Sequence, residues 1–236
     1  MRRILVWLLI TAALGATWLG SGGAWDGHDL ITQQSFAGWS DLAWPVREKP
    51  FIYDDWDPSE YNPAFEVKFY HANEGWITAR DVLVTYAPEP DWDMDTELDL
   101  SPWQALTGGS QGWRHQRYLL FGSFIRLGVA PDRAQHFYDL ALRAYEERDL
   151  YWAFRFLARS LHYLQDMGQP YHSLPFPAMD IVTEHVLNLT KATTVATNAH
   201  YNLEAYVEWR LLQGYEPFLE AIQGNDAQPI TTVAEA

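Results

Sequence analysis

The chain has 236 residues, with 31 acidic against 16 basic side chains, a formal charge of −15, and no cysteine. The acid excess disfavours binding a nucleic-acid backbone through a basic face. The missing cysteine excludes a disulfide framework and a lipid-modified cysteine anchor, and the length suits one domain with a sizeable core.

Met-Arg-Arg opens the chain, Ile4 to Gly20 is apolar, and Ser21-Gly-Gly-Ala24 is small. That order of charge, apolar run and small residues is the pattern of a secretory signal peptide, so cleavage is expected after Ala24. Removing residues 1–24 loses two Arg and no acids, leaving 14 bases against 31 acids and a charge of −17. The mature protein is then secreted or periplasmic and begins Trp25-Asp-Gly-His28.

Residues 29–40 read as a short amphipathic helix. Residues 41–75, rich in Trp, Tyr, Pro and Asp, read as ordered loops. A helix is expected over 76–86, followed by Pro90-Asp91-Trp-Asp93-Met-Asp95. On its own that acidic loop suggests a weak calcium site or a solvated turn. His115 follows in Gly-Trp-Arg-His115-Gln-Arg. Asp132 to Arg148 reads as a helix with Ala134, Phe137, Leu140, Ala141 and Ala144 on its apolar face. The next helix starts at Asp149, and Trp152, Phe156, Leu157, Leu161 and Leu164 are expected to face the core. Arg155 and Arg159 lie on the side of His162 and Asp166, where the many acids offer salt bridges. His136 and His185 have no motif partners and read as surface residues. The tail from Gly224 reads as frayed.

The stretch Ser160-Leu-His162-Tyr-Leu-Gln-Asp166-Met-Gly-Gln-Pro-Tyr-His172 carries the chemistry. His162 and Asp166, four apart, share one helix face. Pro170 stops the helix near Gly168, so His172 returns from the following loop. His200 and Glu204 repeat the four-residue spacing on a helix over 200–212. Imidazole and carboxylate are zinc ligands.

A His-x3-Asp-x5-His motif followed by a His-x3-Glu resembles the zinc-dependent phospholipase C family, which includes the clostridial alpha-toxins. Pro90-Asp91-Trp-Asp also resembles a metal-binding segment of the alpha-toxin branch, with Asp93 and Asp95 as substitutes for Asp91. His115 follows this segment and is preferred over the rival His71, which would go with Asp54, Asp55 or Asp57 upstream.

The resemblance implies an all-α, single multi-helix domain over residues 25–236 that holds three zinc ions. Asp91, His115, His162 and Asp166 would hold the first. Trp25, through its own amine and carbonyl, and His28 would hold a second, bridged to the first by Asp166. His172, His200 and Glu204 would hold the third. Asp91 would orient or deprotonate the attacking water. The implied activity is hydrolysis of a phospholipid or other phosphodiester, with transient membrane-surface contact, by a monomer. The related fungal single-strand nuclease family shares this ligand order but ends its last motif in Asp where this chain has Glu204. A zinc-loaded binding protein with weak turnover is the third reading. Trp92, beside Asp91, is placed to stack on a cationic head group or to pack.

Overall fold

The structure is a computed structural model that describes residues 27–53, 62–70, 75–120, 124–173 and 189–223. Residues 1–24, Trp25, His71 and His185 lie outside the described residues, as do Asp54, Asp55 and Asp57. Among the described residues the protein is mostly helical, and no helix is long and apolar enough to cross a membrane.

In chain order the elements are α1 (His28–Ser35), β1 (Pro45–Arg47), β2 (Trp76–Thr78), α2 (Ala79–Tyr86), α3 (Gly109–His115), β3 (Tyr118–Leu120), β4 (Ile125–Leu127), α4 (Ala130–Glu146), α5 (Leu150–Gly168), α6 (Pro170–Ser173), α7 (Leu189–Leu212) and α8 (Glu216–Gln223). The strands form two separate antiparallel pairs, β1 with β2 and β3 with β4. Each strand has three residues, too short to announce itself by alternation.

The chain packs as two compact units. The first takes its described residues from Trp25–Met94, Pro131–Gln165 and Ala205–Ala236. The second takes them from Asp95–Ala130 and Asp166–Glu204. Helices α5 and α7 contribute to both.

In the first unit, Thr78 caps α2 by accepting a hydrogen bond from the Asp81 amide at 3.1 Å, the usual way a helix start satisfies its free donors. Ala79, Val82, Leu83 and Tyr86 of α2 are buried, with Ala134, Phe137, Leu140, Ala141 and Ala144 of α4. The α4 face is therefore the one its spacing predicts. Phe137 stacks on Tyr163 at 5.8 Å and on Phe156 at 6.3 Å. Trp152 is buried, and its indole N–H donates to the carbonyls of Lys49 and Pro50 at 3.1 and 3.0 Å. The Tyr53 hydroxyl donates to Asp149 at 2.5 Å. Burial, and then Asp149, push that hydroxyl's pKa up.

On α5 the expected core stripe needs correction. Trp152 and Phe156 are buried, but Leu157, Leu161 and Leu164 are only half-buried. Arg155, Arg159, His162 and Asp166 are buried instead, each at most 1 % exposed. Polar side chains can occupy the interior when each finds a charge or hydrogen-bond partner, and these do. The reading of Pro170 as a helix stop is also modified. It ends α5, then begins the four-residue α6, because proline is well suited to a helix's first position.

In the second unit, α3 and the β3–β4 hairpin are joined to α6. The Arg117 amide donates to the His172 carbonyl at 2.9 Å, and the Tyr118 hydroxyl donates to the Tyr171 carbonyl at 2.6 Å. Gly128 closes the hairpin with φ +86°, and a Cβ there would lie 2.0 Å from the Gln116 carbonyl oxygen. Only glycine fits both the left-handed backbone and the close approach. Gly128→Ala is expected to cost about 2–4 kcal/mol of folding stability, read as a lowered urea midpoint. An unchanged midpoint would show that the hairpin can shift to admit the methyl.

Candidate metal centres

In the first unit, three elements bring His28, Asp91 and His162 together. His28 is the first residue of α1, Asp91 ends a three-residue 3-10 turn (Glu89–Asp91), and His162 lies on α5. The two histidines are fully buried and their rings lie 3.8 Å apart. In each, Nδ1 rests on an acceptor. His28 Nδ1 lies 2.8 Å from the Gln165 side-chain oxygen, whose amide nitrogen donates to Thr32 at 2.8 Å. His162 Nδ1 lies 2.9 Å from the Ala87 carbonyl oxygen. Both partners are acceptors, so each Nδ1 is the donor, and each Nε2 is turned towards Asp91.

Both Nε2 atoms face the Asp91 carboxylate. His28 Nε2 stands 3.7 Å from Asp91 Oδ2, and His162 Nε2 stands 3.6 Å from Oδ1. These separations are too long for hydrogen bonds. They suit two donors of one tetrahedral zinc, which at bond lengths of roughly 2.0–2.1 Å lie roughly 3.3–3.4 Å apart. Two imidazole nitrogens and a carboxylate converging at such distances form a donor set that a cation can hold. Asp93, by contrast, is exposed with φ 68°, and its carbonyl accepts from Asn62 at 3.3 Å.

The second unit carries a longer run of alternating carboxylates and imidazoles. Asp95 Oδ2 lies 2.9 Å from His115 Nε2, and His115 Nδ1 lies 3.0 Å from Asp166 Oδ2. The other Asp166 oxygen lies 2.9 Å from His172 Nδ1. His172 Nε2 and His200 Nε2 are 3.2 Å apart, and His200 Nε2 is 2.7 Å from Glu204 Oε1. All six side chains are buried. Ligand atoms of His172, His200 and Glu204 all lie within 4.8 Å of one another and could hold an ion. Two ring nitrogens in contact repel unless one is protonated or both bind a cation.

In the first unit Asp91, His28 and His162 stand together; in the second Asp95, His115, Asp166, His172, His200 and Glu204 do. His162 and Asp166, one turn apart on α5, supply one ligand to each group.

Several supporting residues escaped the sequence reading. Asp95 is a partner that orients His115, and it is itself held by Arg114 Nη1 at 2.6 Å. Gln165 orients His28. Gln169 donates to Glu204 at 3.0 Å. Such outer partners fix ring tautomer and raise ligand basicity. A signal for the glutamines was present, since Gln165 and Gln169 follow His162 by three and seven residues on the ligand face of α5.

Trp92 meets Tyr70 at 5.3 Å and Tyr86 at 6.2 Å, both edge-on, geometry that favours packing over a waiting platform. His136 is half-buried and packs edge-on against Phe137 at 5.3 Å.

No protein family, no curated protein and no solved structure matches the chain.

Proposed function

We propose that the protein is a zinc-dependent phosphodiesterase, most simply of the phospholipase C type that its motifs resemble. The observation that supports this best is the convergence of His28 and His162, each with Nδ1 on an acceptor and Nε2 facing the Asp91 carboxylate at 3.7 and 3.6 Å. That is a donor set built for a cation. His28, Asp91 and His162 would hold zinc in the first unit. His115, Asp166, His172, His200 and Glu204 would hold it in the second, completing with Trp25 the ligand set of the resemblance. Zinc in such sites supplies a Lewis acid for a phosphoryl oxygen and lowers the pKa of bound water to about 7.

The chain's own residues then do the following. Asp91, only 6 % exposed at its side chain, is placed to orient a water and accept its proton. Gln165 and the Ala87 carbonyl keep the two imidazoles in their ligand tautomers. Asp95 does the same for His115. A chain this acidic holds an anionic phosphodiester through bound cations rather than through a basic surface.

The test is a paired assay with metal analysis. Purified mature protein is expected to carry zinc and to release phosphorylated head group from phosphatidylcholine faster than it degrades single-stranded DNA. The reverse preference would move the protein to the nuclease branch. Bound zinc with neither activity would leave a metal-binding protein.

A further inference from the structure

We infer that Glu89 is the positioning residue for Asp91, clamped by two arginines whose helix also carries His162; this rests on the metal reading above. Glu89 is 0 % exposed, as is Arg155, and Arg159 is 1 % exposed. Arg155 Nε donates to both Glu89 oxygens at 3.1 and 3.0 Å, and its Nη2 makes a further short contact with Oε1. Arg159 Nε donates to Oε2 at 2.8 Å. Arg155 is fixed in turn by the Lys68 carbonyl at 2.7 Å and the Tyr151 hydroxyl at 3.0 Å. Its guanidinium lies 3.7 Å from the centre of the Tyr86 ring. Burial alone would raise the Glu89 carboxyl; the two guanidiniums outweigh it and hold its pKa below the usual carboxylate range.

The reason for so much buried charge is the weakness of the segment it grips. Asp91 ends a 3-10 turn of three residues, a length that holds little structure by itself. Pro88 and Pro90 bring no backbone donor to it. The backbone bonds of this turn are the Asp91 amide to the Pro88 carbonyl and the Trp92 amide to the Glu89 carbonyl, both 3.0 Å. The Glu89 side chain is its anchor to α5. Arg155, Arg159 and His162 recur at i, i+4 and i+7, so they share one face. That face grips Tyr86, Glu89 and, through His162 Nδ1, the Ala87 carbonyl. One rigid helix thereby sets both His162 and the turn that presents Asp91. Arg159 makes the clamp two cations against one carboxylate, so the segment keeps one positive charge near a further acid, Asp91.

The experiment is zinc titration by calorimetry of the chelator-stripped full mature chain, with thermal melts of each protein with and without zinc. The variants are Glu89→Gln, Arg155→Lys and Arg159→Met. Arg159→Met leaves a neutral Glu89–Arg155 pair, so it stays informative if Glu89→Gln does not fold. Tyr53→Phe, which removes the buried bond to Asp149 far in sequence from any ligand, is the control for destabilisation alone. The clamp variants are expected to lose roughly 10- to 100-fold in zinc affinity, the usual effect of removing a partner that orients a ligand. The rise in melting temperature caused by zinc should shrink with it. Tyr53→Phe should melt lower while keeping wild-type affinity and the full zinc-induced rise. Arg155→Lys should fall between wild type and Glu89→Gln, because an ammonium cannot make the bidentate contact. Clamp variants that melt lower yet bind zinc like wild type would overturn the inference and leave Glu89 a packing residue. A wild-type protein that binds no zinc would overturn the metal reading itself, and this inference with it.

Discussion

Asp166→Asn should lower both zinc content and phosphodiester turnover, the latter by at least about 100-fold, beyond the roughly 10- to 100-fold typical of outer-sphere partners. The position explains the size. Asp166 is 1 % exposed and offers one oxygen to His115, at 3.0 Å, and the other to His172, at 2.9 Å. His172 Nδ1 meets that oxygen away from a hydrogen-bond direction, as expected for two donors that share a cation rather than a proton. An asparagine has the shape but replaces one oxygen by a donor nitrogen and removes the charge. It can serve one imidazole as before and must present N–H to the other. Asp95→Asn supplies the contrast. Asp95 holds His115 and Arg114, so its loss should reduce affinity within the outer-sphere range. It also strands the buried Arg114, which should show as a lower melting temperature. The readouts are zinc per chain by elemental analysis and rate on one soluble phosphodiester. Asp166→Asn with wild-type zinc and rate would remove Asp166 from the centre.

The ligands of α5 were legible because a helix repeats, and His162 with Asp166 needs only the four-residue rule. Longer-range pairings were not. Nothing in Pro88-Glu-Pro-Asp91 distinguishes Glu89, whose partners lie 66 and 70 residues away. The same acidic segment hides two different assignments, because Asp91 turns to the first unit's histidines and Asp95 to His115. Spacing alone cannot separate acids four apart in a loop, where side-chain direction follows no period. The helix expected over 200–212 is the end of a longer one, since α7 starts at Leu189. Its first part contains Thr190, Thr193, Thr194, Val195, Thr197 and Asn198, residues whose intrinsic preference for helix is low. Arg155 and Arg159 were expected to form salt bridges with acids and do so with Glu89, but their burial did not follow, since unpaired charge is excluded from cores. Their burial became possible only with Glu89 between them.

Chelation should lower the melting temperature by about 8–16 °C for each zinc lost, and added zinc should reverse the fall. The first step is electrostatic. Asp91, Asp166 and Glu204 are largely buried carboxylates grouped with five histidines. The chain has no disulfide to hold such groups together against repulsion. The cation supplies that restraint, so binding and folding are linked. The second step sets the size. A site with free zinc at 1,000 times its dissociation constant adds about 4.1 kcal/mol to the folded state. One kcal/mol moves the midpoint of a chain of 150–250 residues by about 2–4 °C. The hydrogen-bonded scaffold around the ligands sets the floor. Gln165, the Ala87 carbonyl, Asp95 and the Glu89 clamp do not depend on the ion, so stripped protein should keep its helical circular dichroism below the new midpoint. Calorimetry of stripped, reloaded and untreated protein at one pH and salt concentration makes the comparison. Coincident midpoints in all three would show that these imidazoles and carboxylates are held together by their own hydrogen bonds and that zinc is no part of the fold.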